Sequence, residues 1–564
     1  MNIPDRALLD WLEEPPADRG LHFADTGDTW TFHSYAALAE LTLRTAAAIT
    51  GRGVRRGEVV AVIQRSSPGF MASLFGSFAA GATACSIAPP FAFQRADEYA
   101  LHIGHLLETA RPALVIVDAD AIDHVRQVTD RMGLARPVLF DELVAGVDPA
   151  PGPRPPAEHA LLQFTSGSSG FSRGVLLENS ALRANVTAMR RWLDWSPESP
   201  GISWLPVHHD MGLIGCLMNI VVTGCDGWMM QPEDFIRSPL RYLSCVSEQR
   251  VGLAAMPNFG LAYILRRVRP QQLEGLDFSS LKSVILGAER IDARVLERFQ
   301  DLLGPHGFDG RALLPAYGGA EATLAVTGLP PGEGWTTAVP TGRPPGDGAE
   351  IVGCGRPLEG VDVRVVDADG AEVPDGVVGE VVVTGASMAS GYVGDPGTAS
   401  RTSIAQGTLH SGDAGFLWHG QLFVIGRLGD GLKVRGRMVF AESLEAALFA
   451  RGIPERRAAV LLGVRDGRPT GAVVFEGPQP GWTEIADEVL RASLEEVDLV
   501  SVVLPRGGLA VTSSGKPRRR VMWQALCEGS LPGEIAGLRP SAEAEDEAAA
   551  EAGAGAELAA VGAR

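Results

Sequence analysis

Residues Leu161–Leu176 read LLQFTSGSSGFSRGVL. An apolar run of Leu161, Leu162 and Phe164 ends in a cluster of small hydroxyl and glycine residues, with a cation at Arg173. The pattern predicts a buried strand that runs into a loop. Backbone N–H groups of such a loop, with the hydroxyls of Thr165, Ser166, Ser168 and Ser169, can wrap a polyphosphate. Gly167, Gly170 and Gly174 let the backbone approach closely and adopt positive φ. The GxxxxGK[ST] order of the nucleotide-kinase loop is absent. A Ser/Gly-rich loop reads equally well as a surface turn, so its partners elsewhere in the chain decide.

Outward from this loop, strand and helix patterns alternate. Ser34 is an N-cap for a helix over Ser34–Thr50, with Gly51 as its stop. Short apolar runs at Val59–Ile63, Leu114–Val117, Gly252–Met256 and Val284–Leu286 read as buried strands, and Gly69–Ala80 and Ala293–Leu303 as helices. The class is therefore α/β: parallel-rich sheets flanked by helices, with ligands beyond the carboxyl ends of the strands. After Val361 the pattern turns antiparallel, with strands at Val361–Val366 and Gly379–Thr384 and a hairpin over Asp413–Ile425. These make a β-rich subdomain. The glycine-rich, charged stretch Gly429–Gly436 suits a boundary. Beyond it, Leu444–Phe449, Ala458–Leu462, Ala472–Phe475, Glu484–Leu494 and Val500–Leu504 describe a small α+β unit. The expected organisation is a large N-terminal domain over 1–428, a small mobile C-terminal domain over 429–535, and an acidic Ala/Glu/Gly tail over 536–564, too poor in large apolar groups to pack.

The chain has 564 residues, 45% hydrophobic and 21% charged, with a net charge of −19. That balance is globular and argues against nucleic acid as the main partner, because phosphate backbones need a basic surface. The six cysteines lack metal-ligand spacing and read as small apolar residues of a reducing compartment. The first twenty residues lack the apolar core of a signal segment, and the longest apolar stretch, Leu213–Val222, is too short to span a bilayer. A cytoplasmic protein without a membrane span is the expectation, and oligomeric state is left open.

Further motifs follow in a fixed order. Ser203–Gly215 reads SWLPVHHDMGLIG, Ala255–Phe259 AMPNF, Leu286–Glu289 LGAE and Pro315–Thr323 PAYGGAEAT. Cys354–Pro357 reads CGRP, His410–Gly415 HSGDAG, Phe423–Asp430 FVIGRLGD and Thr512–Lys516 TSSGK. The series resembles the adenylate-forming superfamily of acyl-CoA synthetases, peptide-synthetase adenylation domains and luciferases, and within it the fatty acyl-AMP ligases. The resemblance spans about residues 20–530.

It implies ATP- and Mg²⁺-dependent activation of an apolar carboxylic acid as its acyl adenylate, with transfer to CoA or to the phosphopantetheine of an acyl carrier protein. Residue by residue, it assigns the loop Thr165, Ser166, Gly167, Ser168, Ser169, Gly170 and Arg173 to the phosphates. It assigns Gly287, Ala288, Glu289, Tyr317, Gly318 and Gly319 to the adenine slot, with Tyr317 as the stacking face. Glu321 would ligate Mg²⁺, Asp413 would accept from the ribose hydroxyls, and Arg427 would reach ribose or phosphate. Lys516 is the implied catalytic cation between the acyl carboxylate and the α-phosphate. His209, Asp210, Met211, Met256 and Phe259, with Leu213, are the acyl-pocket candidates. Each has a plainer reading: Glu321 as a helix-start acid, Asp413 as a turn residue, Lys516 as part of a solvated basic run, His209 and Asp210 as a satisfied buried pair.

Four departures bear on the reaction, one being Val439–Glu445, which reads VFAESLE without the proline usual in that segment. The hinge position, where the family carries Asp or Lys, is Gly429. Leu324–Ile351 is Pro/Gly-rich and shorter than the insertion typical of acyl-AMP ligases. Val207–His208 stands where Leu-Tyr is common, placing a titratable group near the pocket. Two alternatives stay open: an enzyme of only the thioester half-reaction, and a non-catalytic nucleotide- or acyl-adenylate-binding regulator.

Overall fold

Two short caps show how the local sequence sets the frame. Ser34 Oγ accepts from Ala37 N at 3.2 Å and starts the helix Tyr35–Gly51. Ser67 Oγ accepts from Phe70 N at 3.1 Å and, with Pro68 at the first position, starts Pro68–Ala79. The structure, a computed structural model, describes residues 6–25, 27–90, 96–165, 172–341, 350–394, 401–434, 437–465, 468–494, 497–512 and 515–539.

Two large sheets form the body of the molecule. In the seven-stranded sheet, five parallel strands run in the order His159–Phe164, Thr83–Ser86, Val59–Ile63, Leu114–Val117, Pro137–Leu139. Gly174–Glu178 and Gly391–Val393 extend it antiparallel. The nine-stranded sheet has a parallel centre, Leu313–Gly318, Ser283–Leu286, Leu253–Met256, Gly201–Ser203, Gly227–Met229 and Gly20–Ala24, with antiparallel strands at both edges. Its interior strands are buried almost throughout, as strands covered on both faces must be. A third, antiparallel sheet holds Val361–Val366, Gly379–Gly385, Ser403–Ala405 and the hairpin Thr408–Trp418/Gln421–Arg427.

Beyond it, Gly431–Val434 pairs with Arg437–Phe440. A four-stranded sheet then carries Ala441–Ala450 and Trp482–Ser493 in one apolar cluster and Arg519–Cys527 in another. The α/β class with a β-rich subdomain and a small α+β unit agrees with the sequence reading. The expected tail start at 536 is corrected: the strand Glu534–Arg539 runs through that boundary, pairing with Asp498–Leu504. Residues 540–564 lie outside the described residues.

The apolar stretch around Leu213 is a second difference. Met211–Met218 forms a π-helix that continues into Asn219–Thr223. A Cβ on Gly212 would stand 2.3 Å from Pro206 O, so only glycine allows this widened turn to press on the motif before it. Among the described residues no helix is long and apolar enough to cross a membrane.

Candidate active site

A cleft of about 2420 Å³ opens where the two large sheets, the antiparallel hairpin and the small unit meet. Its polar end rests on strand register. In the hairpin Thr408–Trp418/Gln421–Arg427, Asp413 lies opposite Arg427. Arg427 Nε reaches Asp413 Oδ1 at 2.7 Å, and Tyr317 Oη donates to Asp413 Oδ2 at 2.6 Å. Asp413 is 8% exposed, and its N–H donates to Ser411 Oγ at 3.0 Å. Asp413's charge holds Arg427 above the usual guanidinium range. Burial, and then that same charge, push Tyr317 well up, so it stays a neutral donor. Arg427 Nη1 also donates to Thr402 Oγ1 at 3.1 Å and Ser411 O at 3.2 Å.

A second polar group adjoins the first. Arg173 Nη2 donates to Glu321 Oε1 at 3.3 Å and Nη1 to Thr402 O at 3.0 Å, while its guanidinium lies 4.1 Å over the Tyr392 ring. Tyr392 Oη donates to the same Glu321 Oε1 at 3.0 Å. Among the described residues Glu321 Oε2 has no hydrogen bond and could take a cation. A single carboxylate suits Mg²⁺, which keeps several waters and takes other ligands from phosphates. Among the described residues no cluster of three or more His, Cys, Asp or Glu side chains could hold a metal without such help.

The loop that opened the sequence argument joins antiparallel strands rather than a strand and a helix. Phe164 pairs with Gly174, and its neck is closed by Thr165 N donating to Arg173 O at 2.9 Å and Arg173 N to Thr165 Oγ1 at 3.2 Å. Ser166, Gly167, Ser168, Ser169 and Gly170 lie outside the described residues. Gly287, Ala288 and Glu289 line the cleft beyond the strand Ser283–Leu286, with Ala288 at φ +68°. Gly318 and Gly319 line it beside Tyr317. A Cβ on Gly318 would stand 1.7 Å from Leu324 O, which explains a glycine there.

Lys516 enters from the small unit. Its turn is closed by Thr512: Thr512 N donates to Lys516 O at 2.8 Å, and Lys516 N to Thr512 Oγ1 at 3.1 Å. The half-buried ammonium faces Glu289, Asp210 and Asp413, with Arg427 also in range. Enclosure, and then repulsion from Arg427, lower its pKa; the three carboxylates oppose that shift. Burial, and then the Lys516 charge, bring His209 down to about 4, so this imidazole is neutral at pH 7. Burial raises Asp210 against the pull of Met211 N–H and Lys516, and burial raises Glu289, whose Oε1 accepts from Phe259 N.

The other end is apolar, lined by Trp204, Met211, Pro232, Ile236, Ala255 and Phe259. Two acyl-pocket expectations are corrected. Strand alternation turns Ala255 toward the cleft and Met256 into the core, where its side chain packs beneath Gly260. Leu213 is likewise fully buried in the core. His209, Asp210, Met211 and Phe259 do line the cleft, as does Gly429. Sequence reasoning missed Tyr392, Thr402, Trp204 and Arg456. The available signals were the place of Trp204 inside the quoted motif Ser203–Gly215 and a tyrosine in the glycine-rich stretch Gly391–Gly394.

A family model for AMP-binding enzymes matches residues 9–393. The chain belongs to the AMP-binding enzyme family. This AMP-binding enzyme is 28% identical to the long-chain-fatty-acid–AMP ligase FadD26 of Mycobacterium marinum, over 82% of this chain and 86% of that one. It is 27% identical to the 4-hydroxyphenylalkanoate adenylyltransferase of Mycobacterium tuberculosis, over 92% and 88%. A solved structure from work on the fatty acyl-adenylate ligases of E. coli and L. pneumophila matches with a TM-score of 0.83 at 26% identity, covering 93% of this chain and 99% of that one. The resemblance drawn from the ordered motifs is borne out.

Proposed function

We propose that this AMP-binding enzyme joins an apolar carboxylic acid to the α-phosphate of ATP and passes the acyl group to a phosphopantetheine thiol, either in CoA or on an acyl carrier protein. The observation that carries the reading is the meeting of Lys516 with the Asp413–Arg427–Tyr317 group at one end of a cleft whose other end is apolar. A carboxylate oxygen attacks the α-phosphorus, a P–O bond forms, and the bond to the β-phosphate oxygen breaks to release pyrophosphate. Both reactants are anions, so the protein's task is placement and charge neutralisation. The residues present suit it. The lone pairs left on Asp413 accept from ribose hydroxyls, and Tyr317 offers its ring to the base. Arg173 and the Thr165 loop hold the outer phosphates. Lys516 bridges the two reacting anions, whose arrival offsets the enclosure that lowers its pKa. Glu321 Oε2 would take Mg²⁺, which neutralises phosphate charge when bound. Neutral His209 and the apolar wall of Trp204, Met211 and Phe259 exclude a second charge from the acyl end.

The domain reading is part of this proposal: Gly429 is the pivot between 1–428 and a small domain that carries Lys516. The segment Leu324–Ile351 bears on the acceptor. Thr337–Ala338 pairs with Ile351–Val352, and Ile351 shares an apolar cluster with Phe416, Phe423, Ile425 and Phe440. Rotation about Gly429 has to pull Phe440 out of that cluster, which favours the adenylate-forming orientation. A cytoplasmic location, where ATP and CoA are abundant, belongs to the same proposal. ATP–pyrophosphate exchange with a panel of fatty and aryl-alkanoic acids tests the first half-reaction. Supplied acyl adenylate with CoA or with a holo carrier protein tests the second. No acid-dependent exchange across the panel overturns the reading.

A further inference from the structure

A Cβ on Gly429 would meet nothing within 4 Å, so Gly429 itself contributes no side-chain contact that holds the small domain in place. The contacts that keep Lys516 in the cleft come from elsewhere. Arg290 Nη1 donates to Ser443 Oγ at 3.3 Å, and Phe440 packs with Phe416 and Phe423. Neither touches the Lys516 turn. Arg456 does. Its guanidinium carbon lies 3.6 Å from the centroid of the Phe259 ring, in the large domain. A Cβ on Gly515, the residue before Lys516, would stand 3.1 Å from Arg456 Cζ and Nη2. The guanidinium therefore touches an aromatic face of one domain and the lysine-bearing turn of the other. Arg456 also has φ +61°, a left-handed conformation that long side chains seldom adopt and that persists where the surroundings fix it. Glu289 and Glu455 attract its charge, and Arg266 opposes it.

We infer that Arg456 is a positioning residue for adenylation: it clamps Gly515 against the Phe259 ring and so fixes the ammonium of the next residue, Lys516, in the cleft. This inference rests on the proposed function for its catalytic consequence, not for the clamp itself. The clamp exists only while the small domain stands in this orientation, which gives the interface a hold that the side-chain-free hinge lacks. Phe259 also lines the acyl end. An acyl chain packed on that ring supports the surface Arg456 rests on, coupling acid binding to lysine placement.

The chain contains three lysines, Lys282, Lys433 and Lys516. The first two are exposed and serve as internal references. Acetylation of the intact protein by a water-soluble N-hydroxysuccinimide ester, read by peptide mass spectrometry, therefore reports Lys516 shielding directly. In Arg456→Ala, Lys516 is expected to acetylate at least about threefold faster, with Lys282 and Lys433 unchanged. Acid-dependent pyrophosphate exchange should lose about tenfold in kcat, because a displaced reacting group costs rate steeply, while KM for ATP stays within about twofold. Arg456→Lys should recover part of both, since an ammonium keeps attraction to the ring but cannot lie flat between ring and turn. Adding Phe259→Leu to Arg456→Ala should speed Lys516 acetylation no further. Unchanged Lys516 acetylation in Arg456→Ala overturns the clamp, whatever exchange does. If the wild type shows no exchange with any acid while Lys516 acetylation still responds as expected, the clamp stands and the adenylation reading falls.

Discussion

Asp413 and Lys516 line the same cleft and are held there in opposite ways. Asp413 belongs to a hairpin whose register puts Arg427 opposite it; Tyr317 Oη donates to its carboxylate and its own N–H donates to Ser411 Oγ. Lys516 hangs on a four-residue-spaced turn in another unit, and among the described residues its ammonium makes no ion pair. One charge is locked by hydrogen-bonded strands. The other is placed by packing between units. Under the proposed function, the first group would serve ground-state binding of a nucleotide, and the second would supply a charge needed only while the α-phosphate reacts.

The sharpest way to break this contrast is Lys516→Ala. Acid-dependent pyrophosphate exchange should fall about 10²–10³-fold, with the melting temperature little changed, because among the described residues the ammonium makes no ion pair or hydrogen bond and burial offsets the attraction of the carboxylates it faces. Retained exchange would place the reacting charge elsewhere. Asp413→Ala should behave in the reverse sense. It strands Arg427 and Tyr317 Oη, costs about 2 kcal/mol in denaturant titrations, and removes the stabilisation that added AMP gives the wild type. A full AMP-induced shift in this variant would reduce Asp413 to a structural residue.

Glu442 sharpens the comparison at the domain boundary. Arg519 binds Glu442 Oε1 at 2.9 Å, Glu445 Oε2 at 2.6 Å and Asp430 Oδ2 at 3.0 Å, yet Glu442 Oε2 is buried without a hydrogen-bond partner among the described residues. Burial outweighs the Arg519 charge, aided by Asp430 and Glu445, and raises Glu442 to about 7. A carboxyl whose folded pKa exceeds its unfolded value binds more protons when folded. The protein therefore loses stability as pH rises from about 4.5 to about 7, and the loss is complete above that. Glu442→Gln should be about 1 kcal/mol more stable than wild type at pH 8 in urea titrations, the difference closing toward pH 4.5. A gap independent of pH would show that Glu442 ionises normally. The smallest effect is expected from Gly429→Ala. With open space at its Cβ and no positive φ, alanine should stabilise by about 0.5 kcal/mol through the unfolded chain, leaving exchange within about twofold. A large loss of exchange would mean that the hinge needs glycine's freedom during turnover.

Much of the frame was legible because it depends on near neighbours in sequence. Ser34 as a cap, Val59–Ile63 and Ala293–Leu303 as elements, and the hairpin around Asp413 follow from capping chemistry and periodicity. That Asp413 and Arg427 meet came only from the strand register, since the expected hairpin ended at Ile425. The π-helix Met211–Met218 was not legible, since an apolar run with two glycines carries no mark of a widened turn. Met256 was assigned to the pocket on its character alone, and the phase of the strand reversed it.

By itself the sequence determined the order of chemical parts: a hydroxyl-rich loop, a tyrosine, an acid–arginine hairpin and a terminal lysine, each prepared by local backbone preference. Only the tertiary structure decided which of them share a space. Tyr317 donates to Asp413 across 96 residues, and Arg456 of one unit rests on Phe259 of another. Contacts of that range depend on how two buried sheets and a small domain pack. Packing is a sum over many weak, non-directional contacts, so it leaves no motif in any single stretch of the chain.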